Sequence, residues 1–224
     1  MVSIKGATAV VTGGQRGLGR ALTKELLRRG AAKVYATART PAAELDPRIV
    51  PAAVDVTSPE SVADLAARAG DASIVINNAG MAMGGKLLIA DFREVTAVFD
   101  TNVFGPLRMA QAFAPVLASH RGGALVNMHS VLSWAAGAGA YGASKAALWP
   151  VTNSLRLELA PAGTQVTAAK NAPADVAASI ISAIEGGETE ILVDGPSRHC
   201  KARLSGPVEA LTFDSALQLK GTQS

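Results

Sequence analysis

Apolar residues along this chain occur in two alternating kinds of stretch. Short runs rich in Val, Ile and Ala predict buried β-strands, because both faces of a parallel strand are covered. Longer stretches with apolar residues three and four positions apart predict amphipathic helices. The predicted strands are residues 7–11, 33–38, 49–54, 73–76, 124–128, 165–168 and 190–193, and the predicted helices are 17–29, 59–69, 91–119, 141–160 and 174–185.

This alternation predicts an α/β protein of the Rossmann type, a doubly wound parallel sheet of about seven strands with helices on both faces. In such a fold the ligand lies at the carboxyl ends of the strands. The 224 residues, 49% of them hydrophobic, suit one domain with a large core. We expect residues 1–211 to form that domain and 212–224 to be a C-terminal tail.

A glycine-rich turn follows the first predicted strand. The sequence TGGQRGLG stands between that strand and the first helix. Glycines let the backbone approach a phosphate closely, and the helix N-terminus offers unpaired amides and the positive end of its dipole. The turn therefore predicts a dinucleotide site, although its glycine spacing is not that of the commonest fingerprint. The predicted contacts are Gly13, Gly14, Gln15, Arg16, Gly17, Leu18 and Gly19.

Three polar residues, Ser130, Tyr141 and Lys145, indicate the chemistry. Tyr141 and Lys145 are four positions apart in a helical pattern, so their side chains share one helix face. A phenol with a pKa of about 10 becomes an effective base only when a cation stabilises the phenolate, and we expect Lys145 to lower the pKa of Tyr141. Ser130 ends a strand and could hold a substrate oxygen. The alternative is a tyrosine and a lysine that share a helix face by chance.

These motifs together resemble the short-chain dehydrogenase/reductase family. The resemblance extends from about Ile4 to Leu159 and includes the turn, the NNAG sequence at 77–80, Asn102 and the Ser130, Tyr141 and Lys145 set, in the family's order. It implies a hydride-transferring oxidoreductase that interconverts a carbonyl and an alcohol. It also implies that Asn102 completes a proton relay from the lysine, against simple capping as the alternative. Asn102 and the nearby Pro106 are unfavourable inside a helix, so we expect a local helix irregularity there that could free a backbone carbonyl. Further cofactor contacts are expected at Asp55, Val56, Asn78, Ala79 and Gly80, besides Tyr141 and Lys145 themselves.

Charge at the end of the second strand bears on the choice of cofactor. An NAD site uses a carboxylate there, whereas the 2′-phosphate of NADP repels a carboxylate and binds arginine. The sequence KVYATART carries Arg39 and no acid, and Arg16 supplies a second guanidinium. We therefore expect NADP(H), with NAD less favoured. The alternative is that both arginines are ordinary solvated residues.

Composition excludes several other classes of function. The net charge of +3 comes from 21 basic and 18 acidic residues without a basic block, so nucleic-acid binding is not expected. No apolar stretch is long enough to cross a bilayer, no metal site is predicted, and the single cysteine, Cys200, suits a reducing cytoplasm. The partners expected are a small carbonyl or alcohol substrate and further copies of the chain. Apolar residues such as Leu148, Trp149, Val151 and Leu155 suggest a homodimer or homotetramer.

Two departures from the family concern the substrate side. Ten residues separate Ser130 and Tyr141, about two fewer than expected, and after QVTA the family's substrate-covering segment is missing. Either the chain lacks that segment, or the sequence is joined across a gap between Ala168 and Ala174, which we favour. Two other functions stay open. One is a sensor or scaffold that binds NADP(H) without turnover, and the other is an epimerase or dehydratase with the same catalytic residues.

Overall fold

The architecture is a single seven-stranded sheet with helices on both faces. The structure is a computed structural model that describes residues 2–82, 86–171, 176–193, 195–206 and 211, without the side chains of 170 and 171. The predicted tail at 212–224 lies outside the described residues. The strands are β1 (Thr8–Val11), β2 (Lys33–Ala38), β3 (Ile49–Ala53), β4 (Ile74–Asn77), β5 (Gly123–Ser130), β6 (Thr164–Asn171) and β7 (Glu190–Leu192).

The sheet order is β3-β2-β1-β4-β5-β6-β7, and each neighbouring pair is parallel. The order reverses direction between β1 and β4, which is the point where a doubly wound sheet opens a crevice for a ligand. The predicted fold class is therefore confirmed. The α-helices are α1 (Gly17–Arg28), α2 (Pro59–Arg68), α3 (Phe92–Phe99), α4 (Gly105–Ser119), α5 (Gly139–Leu159), α6 (Ala177–Gly186) and α7 (Gly195–Ala202).

Two apolar clusters, one on each face of the sheet, hold the helices in place. On one face Leu22 and Leu26 of α1 and Ile180 of α6 pack against the sheet, and on the other Met109 and Phe113 of α4 do so. All five side chains are fully buried. Burial of a large apolar side chain contributes about 1.5–3 kcal/mol, so these contacts fix the sheet that carries the site.

The helical pattern predicted at 91–119 is observed with an irregularity near its middle. It is divided into α3, a π-helical segment at Asp100–Phe104, and α4. Pro106 stands near the start of α4, directly after the π-helical segment, and its missing amide hydrogen removes one donor from the hydrogen-bond ladder at this junction. At Gly105, an added Cβ would lie 2.9 Å from Cγ2 of Val56, so the helix approaches the end of β3 too closely for a side chain.

The stretch after the sixth strand bears on the missing segment. β6 is continuous through Asn171 and pairs with β5 along its length, so residues 168–171 form regular strand. The rest of the suspected interval, 172–175, lies outside the described residues. Among the described residues, no helix has the length and apolar character needed to span a membrane.

Candidate active site

The glycine-rich turn has the backbone shape that a phosphate site needs. Gly13 and Gly17 have φ values of +65° and +50°, in the left-handed region that favours glycine. A Cβ on Gly19 would lie 2.1 Å from the carbonyl oxygen of Gly13, so this position admits no side chain. Arg16 is the N-cap of α1 and makes no capping hydrogen bond with its side chain. The first amides of α1 are thus left for a ligand.

Thr12 joins this turn to the NNAG sequence at the end of β4. Its Oγ1 accepts hydrogen bonds from the backbone amides of Asn78 and Ala79, each at 2.9 Å. Nδ2 of Asn78 donates in return to the carbonyl oxygen of Thr12 at 2.9 Å. The side chain of Asn78 therefore builds the site wall, and Gly80 continues the same backbone along the crevice. Asn77 ties strands together, as expected, by donating to Oδ1 of Asn127 at 2.8 Å.

Asp55, Arg39 and Arg16 lie at the ends of β3, of β2 and of the turn. Oδ1 of Asp55 accepts from the backbone amide and from the hydroxyl of Thr57, at 2.9 and 2.7 Å. The hydrogen bonds from Thr57 hold the pKa of Asp55 below its ordinary value, and the charge of Arg39 adds to the effect. Arg16 and Arg39 are exposed. The N-cap of α2 is Ser58, which accepts from the amide of Ser61 at 3.1 Å, so Asp55 is not needed as a cap.

Ser130 and Tyr141 meet across the end of β5. Ser130 is the last residue of that strand, and its Oγ also accepts from the amide of Leu132 at 3.2 Å. Burial raises the pKa of Tyr141 above its ordinary value, and a hydrogen bond with Ser130 acts in the opposite direction. The expectation that Lys145 lowers the pKa of Tyr141 is not met. The physical reason is burial, which disfavours the charged form of both groups.

Lys145 is buried one turn further along α5. Its Nζ donates to the carbonyl oxygen of Met128 on β5 at 2.8 Å. Burial lowers the pKa of Lys145 to about 8, so at the high pH where the phenol would ionise the amine is already neutral. The amine also faces the NNAG backbone, because a Cβ on Gly80 would lie 3.8 Å from it.

Asn102 lies in the π-helical segment and is fully buried. Its Nδ2 donates to the carbonyl oxygen of Met81 at 2.8 Å and to Oγ of Ser144 at 2.9 Å. Ser144 donates in turn to the carbonyl oxygen of Tyr141 at 2.7 Å. The helix irregularity expected at Asn102 is therefore present, and its amide connects the cleft wall to α5.

Tyr141, Lys145 and the NNAG backbone line a cleft of about 230 Å³ between the glycine-rich turn and α5. Its walls combine the predicted nucleotide contacts with the predicted catalytic pair. The predicted site residues Asn102, Ser130, Arg16, Arg39 and Asp55 are not among its lining residues. The lining residues are Leu18, Asn78, Gly80, Met81, Ala82, Met128, His129, Tyr141 and Lys145.

Three lesser candidates have other contacts. The ring Nε2 of His129 lies 3.1 Å from Oγ1 of Thr152 on α5, and Ser133 donates to the carbonyl oxygen of Ser130 at 2.7 Å. The ring of Trp134 packs under the amine of Lys201, 5.4 Å from its centroid. Sequence reasoning missed Thr12 and Ser144 as builders of the site. Thr12 stands in the motif itself, but the contacts of Ser144 become visible only when α5 meets the π-helical segment.

Comparison with known proteins places the chain in a family. The family profile described as short chain dehydrogenase matches residues 7–185. A short-chain dehydrogenase, virD, of Hypocrea virens is 37% identical over 172 residues, and the match covers 70% of this chain and 58% of that protein. The chain thus spans little more than half the length of that relative.

Two further relatives cover more of their own length. A sorbitol dehydrogenase of Cereibacter sphaeroides is 36% identical over 177 residues, with 74% of this chain and 69% of that protein covered. A crystal structure of a short chain dehydrogenase from Burkholderia cenocepacia in complex with NADP superposes with a TM-score of 0.86. It is 35% identical, and the match covers 94% of this chain and 97% of that one. The chain belongs to the short-chain dehydrogenase/reductase family of oxidoreductases.

Proposed function

We propose that this protein is an NADP(H)-dependent oxidoreductase that interconverts a small carbonyl compound and the corresponding alcohol. The observation that carries the proposal is the convergence of Tyr141 and Lys145 on one cleft with the NNAG backbone, with Ser130 hydrogen-bonded to the phenol. A proton donor, a cation and a hydroxyl then surround the place where a carbonyl oxygen would bind.

The cradle beside this cleft fits a nicotinamide dinucleotide. The left-handed Gly13 and Gly17, the side-chain-free surface at Gly19 and the open N-terminus of α1 suit a pyrophosphate. When bound, such a cofactor supplies or accepts the hydride. Asp55 and Val56, at the end of β3, are the proposed contacts of the adenine, and Asn78, Ala79 and Gly80 those of the ribose.

Tyr141 is proposed as the proton donor. Because burial raises its pKa, the phenol is protonated at neutral pH, which suits donation to a carbonyl oxygen during reduction. Ser130 would hold that oxygen by a hydrogen bond. In the oxidative direction the same phenol oxygen would accept the proton from the alcohol.

Lys145 is proposed to act after the proton has left Tyr141. With a pKa of about 8 it is mostly protonated at neutral pH, and its charge favours the phenolate that donation produces. The amine would also bind the hydroxyls of the nicotinamide ribose. Asn102 is proposed to complete the proton relay from Lys145 to solvent through its backbone carbonyl, in the π-helical segment where the hydrogen-bond ladder is interrupted.

The proposed cofactor is NADP(H) rather than NAD(H). Arg39 at the end of β2 and Arg16 in the turn are both exposed and supply positive charge where a 2′-phosphate would lie. The Burkholderia cenocepacia neighbour, whose structure contains NADP, supports this choice. Asp55 is kept ionised mainly by Thr57, so it can still accept a hydrogen bond from the adenine amino group.

The proposal is tested by NADPH oxidation at 340 nm with a panel of aldehydes, ketones and quinones, beside the variant Tyr141→Phe. We expect turnover with at least one class of carbonyl, and a loss of about 10²–10⁴-fold in Tyr141→Phe with NADPH binding retained, because only the proton donor is removed. Full activity of Tyr141→Phe contradicts the catalytic assignment.

The second candidate is a sensor or scaffold that binds NADP(H) without turnover. It is favoured by the short connection between β6, which ends at Asn171, and α6, which begins at Ala177, since so few residues leave no room for a long substrate-covering segment. NADPH binding without oxidation across the whole panel identifies this function instead.

A second copy of the chain is the proposed macromolecular partner, and a reducing cytoplasm, suggested by the single cysteine, is the proposed location. The residues named for self-association need correction, because Leu148 and Leu155 are buried in the chain's own core and Val151 packs against it. Of the residues named, Trp149 is exposed, and the other exposed apolar residues of this region are Phe92, Phe104 and Leu157.

A further inference from the structure

The side chain of Gln15, in the glycine-rich turn, contacts the loop after β2. Its Nε2 donates to the carbonyl oxygen of Ala42 at 2.7 Å, and its Oε1 accepts from the amide of Ala42 at 2.9 Å. A primary amide that both donates to and accepts from one backbone unit fixes position and orientation together. Gln15 was predicted to contact the cofactor, but its side chain is hydrogen-bonded within the protein instead.

A part-buried carboxylate extends this contact. Oε1 of Glu44 accepts from Nε2 of Gln15 at 3.1 Å and from Nη1 of Arg20 at 2.7 Å. The Glu44 side chain is only 7% exposed, so its charge needs these donors. The hydrogen bond from Arg20 holds the pKa of Glu44 below its ordinary value, which keeps the carboxylate ionised. Glu44 thus joins the glycine-rich turn, α1 and the loop after β2.

The joined segments carry the two exposed arginines proposed for the 2′-phosphate. Arg16 directly follows Gln15, and Arg39 precedes Ala42 by three residues. Gly14 makes a second link, from its amide to the carbonyl oxygen of Thr37 at 3.0 Å. That link holds the start of the turn against β2, whereas the Gln15 contact holds the loop beyond Arg39. Two long exposed side chains bind one phosphate together at a lower entropic cost when their backbones are held at a fixed separation.

We propose that Gln15 is a positioning residue for coenzyme selectivity. It holds the backbone of Arg39 against that of Arg16, so that both guanidinium groups reach the 2′-phosphate at a smaller ordering cost on binding. The inference rests on the proposed NADP(H) function. It predicts an effect on cofactors that carry the 2′-phosphate and little effect on those that lack it.

The test measures binding rather than turnover, in wild type and in Gln15→Ala. Dissociation constants are obtained for NADPH and NADH by nicotinamide fluorescence, and for 2′,5′-ADP and AMP by calorimetry. We expect Gln15→Ala to weaken NADPH and 2′,5′-ADP roughly ten-fold, the scale of the cost of ordering one long side chain on binding. NADH and AMP should change less than about two-fold, because they make no use of the arginine pair.

Three controls accompany this variant. Gln15→Asn keeps an amide but is one methylene too short for Ala42, so it should reproduce the selective loss even if Gln15→Ala folds poorly. Gln111→Ala, an exposed glutamine on α4, should change none of the four constants. Arg39→Ala should weaken binding of NADPH and 2′,5′-ADP, the two ligands that carry a 2′-phosphate, and leave NADH and AMP unchanged.

The possible results distinguish a failure of the Gln15 proposal from a failure of the proposed NADP(H) function. If wild type does not prefer NADPH to NADH, the cofactor assignment is wrong and the inference falls with it. If wild type prefers NADPH and both Gln15 variants keep that preference, the inference alone is overturned. An equal loss for NADPH and NADH also overturns it, since that result assigns Gln15 a structural role in the turn as a whole.

Discussion

Asn102 and Met81 hydrogen-bond to each other in both directions. Nδ2 of Asn102 donates to the carbonyl oxygen of Met81, and Oδ1 accepts from the amide of Met81, each at 2.8 Å. The pair joins the π-helical segment to the backbone that lines the cleft. Because Asn102 also donates to Ser144, one amide holds the cleft wall and the helix of Tyr141 in register.

Replacing Asn102 by Ala should lower both stability and activity. Three buried hydrogen bonds are lost, and each buried partner left unsatisfied costs about 1–3 kcal/mol, part of which water entry can offset. We expect a clear drop in the melting temperature and a fall in kcat larger than the rise in KM. Thermal unfolding and steady-state NADPH oxidation measure the two effects.

Ser144→Ala is the matched control for that variant. It removes one partner of Asn102 and leaves the two bonds with Met81 intact. A smaller loss of stability is expected, with kcat closer to wild type. If Ser144→Ala loses as much stability and kcat as Asn102→Ala, then the bond to α5 accounts for the effect. The two bonds to Met81 in the cleft wall would then contribute little.

Lys145→Met should stabilise the protein at neutral pH. Because burial lowers the pKa of Lys145 to about 8, the folded state holds this proton less tightly than the unfolded state. Stability therefore rises with pH between about 8 and the ordinary lysine value near 10.4, and the burial cost is fully present below that window. With the charge removed, we expect a gain on the order of 1–3 kcal/mol at pH 7, offset in part by the lost bond to Met128.

The measurement is chemical denaturation of the cofactor-free protein at pH 7 and pH 9.5. The gain from Lys145→Met should shrink at the higher pH, because wild type no longer carries the buried charge there. A difference between the two proteins that is independent of pH would show that the charge of Lys145 is not the cause. Activity should be lost in either case.

Gly19→Ala should damage the nucleotide cradle. Alanine normally stabilises a helix by about 1 kcal/mol relative to glycine, but here its Cβ would lie 2.1 Å from the carbonyl oxygen of Gly13. We expect the variant to bind NADPH at least about ten-fold more weakly than wild type. Fluorescence titration measures this change. Gly186→Ala, at the end of α6 with its nearest neighbour 3.8 Å away, should leave binding unchanged. Equal binding in both variants contradicts the proposed cradle.

Charge on the exposed apolar surface should disrupt self-association. Phe92 and Leu157 are 80% and 77% exposed, so Phe92→Glu with Leu157→Glu should not unfold the monomer. We expect light scattering to show a dimer or tetramer for wild type and a smaller species for the double variant. Leu45→Glu, at a fully exposed site in the loop after β2, is the control and should keep the wild-type mass. If the wild-type protein is monomeric, the proposed self-association is wrong.

The sequence by itself determined the elements and the residues with chemical roles. Strand periodicity is local, so β2 was predicted with its observed bounds, and the other strands within a few residues. The turn around Gly13 and the helix spacing of Tyr141 and Lys145 are local as well. Local patterns also indicated the irregularity near Asn102, because an asparagine and Pro106 are poor choices inside a helix.

Only the tertiary structure decided which side chains meet and how strongly burial changes them. The amide of Gln15 meets Ala42, and that of Asn102 meets Met81 and Ser144, through contacts between segments that are distant in sequence. The pKa of Tyr141 is raised rather than lowered because desolvation depends on the surrounding packing, which the one-turn spacing to Lys145 does not encode. Spacing along a helix brings groups to one face, but the dielectric around that face is set by the strands and helices that cover it.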